Sequence, residues 1–246
     1  MLTDHWERPS NELNLVSDEA HVWRASLNQN RSTILKMSTF LAPEERGRAE
    51  KYFKAIDRDH FIIARGVLRG ILSTYLRVPP NEIKFIYNEY GKPAIHDNQN
   101  YCALNFNLSH SKDLALYALA CGRRVGVDIE YIREEFATLD IAERFFSKDE
   151  VKALKAAPEE LRTEAFFNCW SRKEAYIKAI GMGVSYPLDG FTVSLAPGAP
   201  ALLNVSADES EPTRWRMYAI IAAEDYASAL IVENPPVNPR QWQWTF

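Results

Sequence analysis

The hydrophobic periods along this chain run in the same order twice, and that constrains its fold more than any other feature. In the first half, His21–Leu27 alternates as a strand does. Between Pro43 and Val78, the apolar residues Phe53, Ile56, Ala64, Val67, Ile71 and Tyr75 recur at helical spacings, with a break near Lys54–Arg58 and a stop at Pro79–Pro80. Ile83–Tyr87 reads as a strand and Asn88–Pro93 as a turn; Asn105–Ser111 then leads into a buried strand, Leu114–Ala120. The second half repeats the pattern. Val125–Glu130 is a strand, helices are expected around Asp140–Phe145, Lys148–Ala156 and Glu159–Ile180, and FTVSL, WRMYAII and YASALIV close as strands. The expectation is an α+β protein of two similar lobes, 19–122 and 123–246, joined near Gly122. A loose polar arm (1–18) precedes them, and a Pro- and aromatic-rich strap (235–246) is assigned to the second lobe.

A chain of 246 residues can bury a sizeable core. Its net charge of −4 argues against nucleic acid as a partner. No apolar run is long enough to span a membrane, and the N-terminus has no apolar signal segment. Cys102, Cys121 and Cys169 lie in apolar surroundings without metal-ligand spacing and read as buried thiols of a cytoplasmic protein.

Two acidic clusters stand out. In the strand GVDIE, alternation puts Val125, Val127 and Ile129 on one face and Gly126, Asp128 and Glu130 on the other. The two carboxylates then stand about 6.5–7 Å apart along the strand. Unless they face water, they call for a positive partner, and a hard cation such as Mg²⁺ suits oxygen ligands. The second cluster lies in WSRKEAYIKAIGMG (Trp170–Gly183). Phe166, Trp170, Ile177 and Ile180 form an apolar helical stripe, with Glu174 at its edge and Lys178 one turn further on. Such a pair is ordinarily a surface ion pair contributing about 0.2–0.5 kcal/mol. Lys173 falls inside the apolar stripe, where it must snorkel or meet a partner. If Glu174 joins Asp128 and Glu130, the three make an oxygen-rich Mg²⁺ site, with Lys178 placed for phosphate oxygens. Ser147-x-x-Glu150 has the form of a helix capping box.

GVDIE and WSRKEAYIKAIGMG together resemble the paired signature of the Sfp-like, two-lobed 4′-phosphopantetheinyl transferases. RFFSKDE (Arg144–Glu150), FNLSHS (Phe106–Ser111) and YGKP (Tyr90–Pro93) extend the resemblance over about residues 20–195. It implies a cleft between the lobes that binds coenzyme A, and transfer of its phosphopantetheine arm to a serine of an apo acyl or peptidyl carrier protein, releasing 3′,5′-ADP. By the same resemblance, Asp128, Glu130 and Glu174 hold Mg²⁺, Glu174 takes the serine proton, and Lys178 stabilises the diphosphate. Arg48, Lys92, Pro93, Ser109 and His110, the last in an SHS turn, contact coenzyme A. Arg46, Lys51, Arg58, Arg65 and Arg69 are expected to be mostly solvated, and His60 stands where many relatives carry arginine, with Arg58 a possible substitute. Glu150 is left outside the catalytic set as a helix cap. The carrier is expected to dock on residues 131–165, with Phe136, Leu139 and Leu161 as apolar contacts, and the enzyme to be a monomer. The alternatives are a non-catalytic module that binds coenzyme A or carrier proteins, and a Mg²⁺–nucleotide hydrolase. The absence of a G-x-x-x-x-G-K-[ST] loop argues against the hydrolase.

Overall fold

A computed structural model describes residues 5–9, 13–100 and 103–246. In chain order the elements are β1 (Glu19–Ser26), α1 (Arg31–Ser38), α2 (Pro43–Ala49), α3 (Ala55–Leu76), β2 (Phe85–Tyr87), β3 (Pro93–Ile95), β4 (Leu104–Ser111), β5 (Leu114–Cys121) and β6 (Val125–Tyr131). These are followed by α4 (Leu139–Phe145), α5 (Lys148–Ala156), α6 (Arg162–Ile180), β7 (Phe191–Val193), β8 (Leu202–Val205), β9 (Trp215–Ala219), β10 (Tyr226–Glu233) and β11 (Asn238–Gln243). The class is α+β, as the periodicity predicts. The expected break in the first helical stretch is the gap between α2 and α3.

The first lobe wraps α1, α2 and α3 against a four-stranded sheet ordered β11-β1-β5-β4. The second packs α4, α5 and α6 against a sheet ordered β6-β10-β9 and the β7–β8 pair. A third core joins them. Val22 and Leu116 from the first sheet meet Val127, Ile129 and Leu230 from the second, and all are fully buried. Each such side chain stabilises the joined state by roughly 1.5–3 kcal/mol, so the lobes form one hydrophobic unit.

Several expectations are corrected. The C-terminal tail is a strand: β11 pairs in parallel with β1, matching His21 to Arg240 and Trp23 to Trp242. It therefore belongs to the sheet of the first lobe. The cause is apolar: Trp242 is buried against Trp23 and His21 and covers a sheet edge that would otherwise leave backbone groups unpaired. The described part of the N-terminal arm is tied down as well. Trp6 Nε1 donates to the Ile221 carbonyl at 3.0 Å, the Arg24 guanidinium lies over its ring, and Glu7 N–H donates to Gln241 O at 3.0 Å. The SHS segment is the end of β4 rather than a turn. Arg65 and Arg69 are not solvated; both bind the buried Glu45, and Arg69 also donates to the Pro80 and Ile83 carbonyls. Cys169 is buried as expected, Cys121 is only half-buried, and Cys102 lies outside the described residues.

Candidate active site

The site begins at Gly126. Alternation sends Val125, Val127 and Ile129 into the interlobe core and turns Gly126, Asp128 and Glu130 away from it. Helix α6 lies so close on that side that a β-carbon on Gly126 would sit 2.1 Å from the Ala175 carbonyl oxygen and 2.7 Å from Ala179 N. Only glycine lets the strand and helix approach this far, which brings Glu174 and Lys178 alongside Asp128. Gly126→Ala is therefore expected to force α6 off β6 and to cost about 1–3 kcal/mol or more. Thermal unfolding checks this; an unchanged melting temperature would contradict the packing.

Strand β4 closes the other side, and its alternate polar residues bind β6 one after another. Asn107 Oδ1 accepts from Val127 N–H at 2.9 Å, and the Ser109 hydroxyl donates to Asp128 Oδ1 at 2.8 Å. The Ser111 hydroxyl donates to Glu130 Oε2 at 3.0 Å while accepting from Tyr131 N–H at 3.0 Å. Side chains thus link two strands of different sheets. Asn107 and Ser111 were not anticipated; the signal was the period-two polar pattern N-x-S-x-S along β4. Ser109, expected to face the nucleotide, serves Asp128 instead.

The Lys178 ammonium donates to Asp128 Oδ1 at 2.5 Å and to Ser109 Oγ at 2.7 Å. Asp128 is 1% exposed, and its Oδ2 is buried with no hydrogen-bond partner. Burial and the charge of Asp128 push the Glu130 carboxyl up to about 7. The same two causes raise Glu174 above the usual carboxylate range. Burial works against the charge of Lys178, but Asp128 outweighs it and holds the ammonium above its ordinary value. The three carboxylates therefore act on one another electrostatically. Among the described residues, no set of three or more His, Cys, Asp or Glu side chains is placed so that all could hold one metal ion. The group still fits Mg²⁺: it offers an orphaned carboxylate oxygen and two carboxyls burdened by repulsion, and Mg²⁺ typically takes only one or two protein carboxylates plus substrate phosphates.

A cavity of ≈ 390 Å³ opens beside this cluster, walled by Arg48, His60, Arg65, Gly91, Pro93 and His110. One step of alternation separates its wall from the carboxylates: His110 faces the cavity and Ser109 faces β6. Burial first, and then the Lys178 charge, lower the basicity of His110. Arg48 lies with its guanidinium over the Phe61 ring. Arg58 pairs with Asp59 and is not part of the wall. Lys92 departs from expectation. Its ammonium donates to the Lys178 and Ala179 carbonyls at 2.6 and 3.0 Å, capping the C-terminus of α6. Burial, helped by Arg124, brings its pKa down to about 8. Asn88 braces the same turn, accepting from Tyr90 N–H and Lys92 N–H and donating to Gly181 O at 2.8 Å. The structure thus joins Arg48, Pro93 and His110 in one cavity and Asp128, Ser109 and Lys178 in one cluster, while the charge of Lys92 serves neither.

Glu150 and Lys173 pair with each other at 2.8 Å, at 0% exposure each. Glu150 accepts from Ser147 N–H and Val193 N–H, both at 2.7 Å, and Lys173 also donates to the Leu188 and Phe191 carbonyls. The capping box is present, and the lysine in the apolar stripe has its partner.

The chain matches two family models, one described as 4′-phosphopantetheinyl transferase superfamily over residues 124–231 and one as 4′-phosphopantetheinyl transferase, N-terminal, over residues 22–121. It is 34% identical to the 4′-phosphopantetheinyl transferase HetI of Nostoc sp., covering 99% of this chain and 100% of that one. It is also 34% identical to the 4′-phosphopantetheinyl transferase psf-1 of Bacillus pumilus, over 83% of this chain and 84% of that one. The same identity relates it to the 4′-phosphopantetheinyl transferase Sfp of Bacillus subtilis, over 65% and 69%. Both lobes are matched, and a relative is matched from end to end: the chain belongs to the Sfp-like 4′-phosphopantetheinyl transferase family.

Proposed function

We propose that this enzyme transfers the 4′-phosphopantetheine group of coenzyme A to a serine hydroxyl of an apo acyl or peptidyl carrier protein. The observation that carries the proposal is a cluster of three carboxylates and one lysine beside a cavity lined by two arginines and two histidines. In that cavity Arg48 and His110 meet the nucleotide phosphates, and Pro93 and the backbone of its turn meet the base. The serine oxygen forms a bond to the phosphorus that carries the pantetheine arm, and the bond from that phosphorus to the departing 3′,5′-ADP breaks. Glu174 takes the serine proton, a task favoured by its raised pKa. Lys178 offsets the charge that develops on the leaving group. Magnesium held among Asp128, Glu130 and Glu174, by one or two of these carboxylates together with substrate phosphates, would supply Lewis-acid neutralisation of the diphosphate.

The carrier protein docks beside Glu130, where an apolar groove of ≈ 290 Å³ includes Phe136, Phe145 and Trp170. Phe136, Leu139 and Leu161 are all exposed. One chain supplies both walls of the cleft, which favours a monomer. Three cysteines without metal-ligand spacing support a cytoplasmic enzyme; among the described residues, no helix is long and apolar enough to cross a membrane. A non-catalytic binding module would have no use for a base and a leaving-group lysine together.

Incubating an apo carrier protein with coenzyme A, Mg²⁺ and the enzyme is expected to add the mass of one phosphopantetheine to the carrier. EDTA is expected to prevent the gain. Cleavage of coenzyme A with the carrier mass unchanged would mark a hydrolase and overturn the proposal.

A further inference from the structure

Lys178 stands where two cations compete. The Asp128 Oδ1 atom is fully engaged, accepting from the Lys178 ammonium at 2.5 Å and from the Ser109 hydroxyl at 2.8 Å. Ser109 closes a triangle by accepting from the same ammonium at 2.7 Å. Only Oδ2 remains open, and it belongs to the same nearly inaccessible carboxylate. A divalent ion ligates such oxygens at about 2.0–2.1 Å. Bound through Oδ1 it would displace the ammonium, and bound through Oδ2 it would lie close enough to be repelled by it.

The ammonium also has somewhere to go. Lys178 sits in the last turn of α6 on a flexible four-carbon stem and is 28% exposed. It lines a cavity of ≈ 190 Å³ together with Gly91, Pro93 and Gly183. Gly91 and Pro93 also line the larger cavity, so the two spaces adjoin at the turn. Around the ammonium, β6 presents Asp128 and Glu130, α6 presents Glu174, and β4 presents His110. Three carboxylates against one ammonium leave surplus negative charge, so the cluster still attracts a divalent ion once the lysine withdraws.

We propose that Lys178 is a tethered place-holder cation: it neutralises Asp128 until the diphosphate of coenzyme A draws it away, and only then does the metal bind tightly. This rests on the metal-dependent transferase reading above and goes beyond it, because Lys178 becomes a brake on metal binding as well as a partner of the leaving group. The diphosphate offers the ammonium a new anion, and its withdrawal restores to the metal the carboxylate that the lysine held. By linkage, metal and coenzyme A then raise each other's affinity by the same factor.

The test is Mn²⁺ binding, followed by electron paramagnetic resonance, to the intact protein without coenzyme A. Lys178→Met is expected to bind Mn²⁺ about tenfold more tightly than the native chain, within the usual range of such couplings, while turnover falls. Lys178→Gln carries the same expectation should the methionine variant fold poorly, and Lys178→Arg, which keeps the charge, is expected to bind Mn²⁺ as weakly as the native chain. Equal or weaker Mn²⁺ affinity in the two uncharged variants overturns the place-holder role while leaving the transferase reading intact. If no form binds Mn²⁺, with or without coenzyme A, the metal site itself falls, and the place-holder with it.

Discussion

Replacing Glu174 by glutamine is expected to lower turnover about 10²–10⁴-fold, the usual contribution of a positioned general base, while the fold persists. The two side chains have nearly the same shape, so the half-buried position on α6 is filled as before. What changes is charge. Glu174 lies near Asp128, and burial together with that neighbour raises its pKa above 4.5. An acid whose folded pKa is raised favours folding below its unfolded value and opposes it as pH climbs through the folded one. In a chelating buffer the native chain should therefore lose stability relative to Glu174→Gln as pH rises above about 4.5. The glutamine enzyme is expected to be at least as stable at neutral pH and nearly inactive. Turnover close to native, measured as carrier protein modified per minute, would remove Glu174 from its assigned role. A large drop in melting temperature would mean that the substitution tests packing and not chemistry.

The second large effect falls on stability. Lys173→Met should destabilise the protein by about 3–5 kcal/mol, because it leaves Glu150 charged and unpaired in the interior. For a chain of this length that corresponds to a fall in melting temperature of roughly 6–20 °C. Glu150 is 0% exposed and keeps its two N–H donors from Ser147 and Val193, but these do not replace a buried ammonium. Glu150→Gln tests whether this residue is structural only. Its bonding partners include Ser147, Val193, Lys173 and the Cys169 side chain; neither Asp128 nor Glu174 is among them. The variant is expected to lose stability while the folded enzyme keeps its kcat. A collapse of kcat in fully folded Glu150→Gln would give Glu150 a part in the chemistry.

The cleft shows how a two-lobed enzyme can set its chemistry at a seam. Asp128 and Glu130 belong to the second lobe, but the hydroxyls that orient them come from β4 of the first. The turn after β2 reaches across in the same way, with Lys92 and Asn88 gripping the end of α6. The cavity and the carboxylates are therefore held in register by hydrogen bonds across the seam and by the interlobe core beneath them.

The local code of this protein is legible in the chain itself. Period-two and period-3.6 patterns mark β1, β6, α5 and α6 because half-buried strands and helices must segregate apolar from polar residues at those spacings. The capping box at Ser147 and Glu150 is likewise local, since its donors and acceptors lie three residues apart. The acidic alternation of β6 and the Glu174–Lys178 spacing also marked the candidate site. Partners distant along the chain were another matter. Lys173 shows a need for a partner, but only the packing of α5 against α6 supplies Glu150. Lys92 and Ser109 carry the right chemical groups for a nucleotide, yet the tertiary structure spends them on helix carbonyls and on Asp128. The C-terminal strand joined the opposite lobe because Trp242 found its apolar neighbours there. Periodicity is a property of adjacent residues and can be read in one dimension; which donor meets which acceptor, and which lobe takes the last strand, depends on burial and distance in three.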